Sequence, residues 1–139
     1  MKIYLASSFS LKDSVEEVKR HLINGGHTIT VEWWHTDFKE SLGILSDKNW
    51  YATDDIKHIC QRNFNGIDIA DAVILIAPKE GTKKFNGANI EIGYAIAKGK
   101  RVLSIGNIER SGMYQPIEKH IYIETLLASL ENKLEIKNG

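Results

Sequence analysis

Ala72-Val73-Ile74-Leu75-Ile76-Ala77 is a six-residue run with no polar residue on either alternate set. A strand apolar on both faces must be covered on both sides, so this run predicts the central strand of a parallel sheet flanked by helices. It is far too short to cross a bilayer. The neighbouring segments fit that placement. Upstream, Trp50 to about Gly66 reads as a helix, with Ile56, Ile59, Cys60, Phe64 and, just beyond it, Ile67 as an apolar stripe. Downstream, Asn86 to Lys98 reads as a helix stopped by Gly99, followed by a strand from Arg101 to Ile105.

The same alternation extends to the rest of the chain. Lys2 to Ala6 reads as a strand closed by Ser7-Ser8-Phe9-Ser10. Leu11 to Asn24 reads as a helix with Leu11, Val15, Val18 and Leu22 on one face, and Thr28 to Val31 as a second strand running into Glu32-Trp33-Trp34. Residues 35 to 48 have no period and form a loop long enough for a lid. Ile121 to Ile123 predicts a short fifth strand, and Glu124 to Lys133 a last helix, with a fraying tail after Glu135. Regular βα alternation predicts one domain over residues 1–139, an α/β three-layer sandwich of flavodoxin-like or Rossmann-like type. Right-handed crossovers favour the strand order 2-1-3-4-5 for its five parallel strands. Ligands of such sheets sit beyond the carboxyl ends of the strands, where the order reverses. That points to Ser7 to Ser10, Pro78 to Gly87 and Gly106 to Tyr114.

Composition narrows the function. The 18 basic and 18 acidic residues balance, and no long basic run offers a grip on a nucleic-acid polymer. No stretch reads as a membrane span or a signal peptide, so no membrane partner and a cytoplasmic location are expected. The single cysteine, Cys60, fits a reducing compartment and reads as a small core hydrophobe rather than a nucleophile. The five histidines show no metal-ligand spacing, so neither a metal nor another cofactor is expected. His35 reads as a solvated loop residue, with contact to a base or phosphate as the alternative.

Within Ala88-Asn89-Ile90-Glu91-Ile92-Gly93-Tyr94-Ala95-Ile96-Ala97, Glu91 is the one charge. It lies one residue off the stripe Ala88, Ile92, Ala95, Gly99 that should face the sheet, so its carboxylate is expected to be partly buried. Such a carboxylate is either a helix-start decoration or a working group. Its place near the helix start is expected to hold it ionised through the helix dipole. Gly87 is expected to allow a sharp turn or a ligand's approach, and Gly93 close packing on a strand. The glycines do not form a dinucleotide or P-loop pattern.

Gly87 and Glu91-Ile92-Gly93-Tyr94-Ala95, followed by Gly99-Lys100-Arg101-Val102-Leu103, resemble the catalytic segment of the nucleoside 2-deoxyribosyltransferase family. This family includes the related deoxynucleoside 5′-monophosphate N-glycosidases. Lys2-Ile3-Tyr4-Leu5-Ala6-Ser7 is similar to its first strand, and Asn65-Gly66-Ile67 with Ala70 to Leu75 to the helix end and strand before the catalytic segment. The resemblance implies cleavage or transfer of an N-glycosidic bond of a nucleoside or nucleotide. Glu91 would be the nucleophile and Tyr4 would orient it. It also implies a homodimer or higher homo-oligomer. Ser7, Ser8, Phe9, Trp33, Asn63, Phe85, Asn86 and Gly87 become candidate substrate contacts.

Departures from the family pattern leave the proton donor open. The aspartate that transferases carry six residues before the nucleophile is Phe85 here, and a sugar-binding aspartate is replaced by Asn63. Asp37, Asp47, Asp54 and Asp55 are the candidate acids. The monophosphate glycosidases' arginine and serine correspond to Ser10 and Phe85, leaving Ser7, Ser8 and Ser10 either to bind phosphate or to cap the next helix. Trp33 and Trp34 are expected to end the second strand pointing to opposite sides, one of them into the core. Transfer, monophosphate hydrolysis and a non-catalytic nucleotide-binding module all remain open, with an FMN-binding protein a weaker fit.

Overall fold

The computed structural model describes residues 1–35, 54–81, 85–108 and 114–138, apart from the side chains of 54, 55, 86 and 132–138. Five strands form the sheet: β1 (Lys2–Ala6), β2 (Thr28–Ile29), β3 (Ala72–Ile76), β4 (Arg101–Ile105) and β5 (Glu118–His120). Among the described residues four helices connect or follow them: α1 (Lys12–Asn24), α2 (Asp54–Asp68), α3 (Asn86–Ala97) and α4 (Ile123–Asn138). The strand order is β2-β1-β3-β4-β5 with every pair parallel, the flavodoxin-like order expected. β3 is buried at all five positions. Each of its Val, Ile and Leu side chains contributes roughly 1.5–3 kcal/mol relative to exposure. Helices α1 and α4 contact each other, as do α2 and α3.

Several boundaries differ from expectation, each for a physical reason. A short 3-10 turn, Phe9–Leu11, capped by the Ser8 side chain, precedes α1, so the helix begins at Lys12. β2 pairs for only two residues. The Ile3 carbonyl still accepts from the Thr30 N–H, but the Leu5 carbonyl accepts from the Trp33 indole Nε1–H at 2.6 Å. A side chain thus takes the place of the next backbone rung, and Trp33–His35 turns as a 3-10 helix instead of extending the strand. Gly66 does not end α2, which continues to Asp68. Cys60 is exposed, not a core residue.

The fifth strand is Glu118–His120, not Ile121–Ile123. An edge strand needs few apolar residues, and this one is held by charge. Arg101 Nη2 donates to Glu118 Oε2 at 2.8 Å and to Ser129 Oγ at 2.8 Å, and the Ser129 hydroxyl donates to Glu118 Oε1. Ile121 and Tyr122 are left 62% and 67% exposed. The last helix continues past Glu135 to Asn138. The lid-like loop and the start of the second helix lie outside the described residues, and so do residues 109–113.

Two glycines set how closely the layers approach. A Cβ on Gly66 would overlap Val31 Cγ2 and lie 3.1 Å from Thr30 Oγ1 and 3.2 Å from Tyr4 Cδ2. Gly106 has φ +99°, and a Cβ there would run into the Ala77 carbonyl. Alanine inside a helix ordinarily stabilises by about 0.5–1 kcal/mol relative to glycine. At position 66 the sign should reverse, with Gly66→Ala losing about 1–3 kcal/mol in urea unfolding. Gly106→Ala should lose more, because backbone cannot move aside as a side chain can. A Gly66→Ala protein as stable as wild type would show that α2 does not need this approach to β1.

Candidate active site

The sheet order reverses between β1 and β3, and the crevice this leaves is filled from both sides. Ser7, just after β1, donates its hydroxyl to the Ile76 carbonyl at 2.7 Å and ties the diverging strand ends together. Phe85 is buried and its carbonyl accepts the Asn89 N–H at 2.9 Å, starting α3. Ala88, Ile92 and Ala95 then bury against the sheet as the stripe predicts, while Gly99 at its end is exposed. That docking brings Glu91 over β1, where the Tyr4 hydroxyl donates a hydrogen bond to Glu91 Oε2.

A cavity of about 340 Å³ opens above this pair. Ser7, Phe9 and Trp33 line it from the β1 and β2 side. Cys60, Asn63 and Phe64 line it from α2, and Gly87, Ala88, Ile90 and Glu91 from α3. The Phe9 and Trp33 rings stand 6.4 Å apart, tilted by 48°. Apolar walls with a few convergent polar groups are the usual make-up of a small-molecule site. A second cavity, of about 290 Å³, lies between α1 and the β5–α4 link, with Ile76 and Ile105 in its wall. Glu91 does not line it.

Electrostatics single out Glu91. Burial raises its pKa from the ordinary 4.5 to about 7, and the Tyr4 hydrogen bond opposes the rise. The expectation that the helix dipole keeps it ionised is therefore corrected. Glu91 is the sixth residue of α3, beyond the first turn where the dipole acts, and desolvation dominates. Burial, then the Glu91 charge and hydrogen bond, hold the Tyr4 phenol far above its usual range, so it remains the donor. The pair is a neutral donor on a carboxylate that changes charge near neutrality.

The structure brings together Tyr4, Ser7, Phe9, Trp33, Asn63, Gly87 and Glu91. Ser8 and Phe85 do not line the cavity: Ser8 caps the 3-10 turn, its Oγ accepting the Ser10 N–H at 3.4 Å, and Phe85 is core. Asn86 opens α3, its side chain outside the description. Gly87 and Gly93 face open space, so Gly93 does not serve close packing on a strand. Both tryptophans are buried and edge-to-face at 5.6 Å, not split across a strand. Trp33 reaches the cavity, while Trp34 donates to Glu16 Oε2 at 2.7 Å. His35 packs on Trp34 and pairs with Glu16 at 3.3 Å, away from the cavity wall. Among the described residues Glu16, Glu32 and His35 group their ligand atoms within 4.8 Å. Lys19 and Trp34 already engage these carboxylates. Asp37 and Asp47 and the side chains of Asp54 and Asp55 lie outside the described residues.

Cys60, Phe64, Ala88 and Ile90 were missed from the sequence. Helical periodicity held the signal, because residues 60, 63 and 64 share one face of α2 and residues 87, 88, 90 and 91 adjoin on α3. Arg62 was missed as well. Its guanidinium Nη2 donates to Asn63 Oδ1 at 3.3 Å, and its charge acts on Tyr4.

The folded state holds a proton on Glu91 that the unfolded chain releases between about pH 4.5 and 7. Stability contributed by this group therefore falls as pH rises through that window and is level above it. Glu91→Gln, which keeps an acceptor for Tyr4, should be more stable than wild type above pH 7, by roughly 3 kcal/mol at most. Denaturant midpoints from pH 4 to 8 would show it, and identical pH dependence in both proteins would place Glu91 in a solvated setting.

No protein-family model and no curated relative matches this chain. Solved structures do. A CMP N-glycosidase of Clostridium botulinum aligns at 17% identity and TM-score 0.61, over 94% of this chain and 99% of that one. A 2-deoxyribosyltransferase of Bacillus psychrosaccharolyticus aligns at 18% identity and TM-score 0.60, over 91% and 90%. At such identities the likeness is one of fold. Among the described residues no helix is long and apolar enough to cross a membrane.

Proposed function

We propose that this protein breaks the N-glycosidic bond of a nucleoside or nucleotide, with Glu91 as nucleophile and Tyr4 as the residue that orients it. The supporting observation is the Tyr4–Glu91 hydrogen bond at the base of an aromatic-lined cavity of suitable size. The two structural neighbours carry N-glycosidase and deoxyribosyltransferase names, in keeping with the reading.

The ionised Glu91 attacks the anomeric carbon as the C–N bond breaks, its electron pair leaving on the base, which takes up a proton. The product is a glycosyl ester of Glu91. Water or a second base then attacks the same carbon from the face the first base left, loses its proton, and returns the carboxylate. Two displacements retain configuration through an oxocarbenium-like transition state. Burial strengthens the nucleophile by removing its water shell, at the cost of a raised pKa. Rates should therefore rise with pH on an acid limb near 7. The aromatic faces of Trp33 and Phe9 offer the base a wall, and Asn63 offers the sugar a hydrogen-bonding amide. Ser7 and Gly87 complete the contacts, and Ser8 and Phe85 support them from outside the cavity wall; Asn86 keeps its place as a candidate contact at the start of α3.

Hydrolysis of a nucleoside 5′-monophosphate is the second reading. Arg62, bonded to Asn63 on the cavity wall, is the cation that favours this reading. The unpaired thiol of Cys60 suits a cytoplasmic protein. The homo-oligomer has a surface available to it. α3 exposes Gly87, Ile90, Gly93 and Ala97 in a row, with Ile90 65% exposed. An Ile90→Lys protein should sediment as a smaller species than wild type; equal sedimentation would remove this face from the assembly.

Chromatography of nucleosides and their 5′-monophosphates after incubation with the protein, with and without an acceptor base, tests the activity. Free base should appear with wild type and fall by about 10³-fold or more with Glu91→Ala. Glycosylation of the acceptor would mark a transferase and its absence a hydrolase. Binding without turnover of any substrate would instead make the protein a nucleotide-binding module.

A further inference from the structure

Tyr94 stands one turn after Glu91 on α3 and takes no part in the chemistry above. Its hydroxyl donates to Asp68 Oδ1, at the end of α2, at 2.5 Å. Its ring meets Phe64 edge to face, with centroids 4.8 Å apart. Phe64 in turn lines the cavity beside Glu91. Lys100 Nζ donates to the Asp68 carbonyl at 2.8 Å, and Lys98 Nζ lies 5.4 Å from the Tyr94 ring centre. These contacts tie the C-terminal end of α2 to α3.

We infer that Tyr94 and Asp68 form a clasp that holds α2 against α3, pins Phe64 into the cavity wall and thereby positions Glu91 and keeps water from it. The inference rests on the functional reading for its kinetic consequences but not for its structural ones. α2 carries Cys60, Asn63 and Phe64, whereas Glu91 belongs to α3. The gap between two helices is set by what bridges them, and a polar bond across a helix pair fixes register as well as distance. Neither Tyr94 nor Asp68 lines the cavity, and Tyr94 reaches it only through Phe64, so both are positioning residues.

Burial is the main cause of Glu91's raised pKa, which makes its titration a gauge of how well the clasp excludes water. Among the described residues, the groups facing the Tyr4–Glu91 pair come from three elements. Tyr4 comes from β1 and Ser7 from the loop after it, while Cys60 and Arg62 come from α2. The clasp variants leave all of them in place.

The experiment is an NMR titration of carboxyl-labelled Glu91 in wild type, Tyr94→Phe, Asp68→Ala and Asp68→Asn, each checked for fold by circular dichroism. Phenylalanine keeps the ring contact with Phe64 and loses the hydrogen bond, and asparagine keeps an acceptor oxygen for Tyr94. Wild type and Asp68→Asn should titrate alike, while Tyr94→Phe and Asp68→Ala should fall toward the ordinary carboxylate value by about one pH unit. The same Glu91 pKa in all four folded proteins would overturn the clasp. With a substrate in hand, the acid limb of kcat/KM should move to lower pH in the same two variants, and KM should rise roughly 3- to 10-fold with a smaller change in kcat. If Glu91→Gln proves fully active, the nucleophile assignment fails while the titration still decides the clasp.

Discussion

A carboxylate removed from water must be neutral, paired with a cation, or held by hydrogen bonds, and among the described residues Glu91 has one neutral donor, Tyr4. Much of the structure near it follows from that constraint. Tyr4 must lie beneath Glu91, so β1 must sit next to β3 at the reversal of strand order, with α3 crossing over it. Gly66 lets α2 come down on the Tyr4 ring without a Cβ in the way, and Ser7 ties the end of β1 to the end of β3. The result is a group whose charge changes near neutral pH, with no cation bonded to it among the described residues.

The cavity above it is built from parts that also hold the fold. Trp33 fills the hydrogen-bonding place of a missing β2 residue and at the same time presents its ring to the cavity. Phe64 is packed by Tyr94 from one side and faces the cavity on the other. Such dual use explains why the wall is defined although β2 is only two residues long. It also means that changes in packing on α2 are transmitted to the site through whole side chains.

Much of this was legible before any coordinates. The apolar run at Ala72 announced the central strand, the alternation of periods announced the layers, and a lone charge in an apolar helix announced Glu91. Local chemistry decides these features, so they are written locally. Other expectations failed where a distant partner overrode a local pattern. Ile121-Tyr122-Ile123 looks more like a strand than Glu118-Lys119-His120, but Arg101 and Ser129 hold the charged segment against β4. Trp33 and Trp34 look like strand residues until the Leu5 carbonyl claims an indole N–H.

The amino-acid sequence by itself determined the strand order, the helix that carries Glu91 and the crevice into which it points, because burial and βα connectivity permit few alternatives. Only the tertiary structure decided the state of that carboxylate. The helix dipole acts within a turn and can be judged along the chain, whereas desolvation depends on what α2, β1 and the aromatic wall together exclude. Residue 4, the pair 63 and 64, and residue 91 are far apart in the chain, and the water they keep out of the cavity is a property of their meeting.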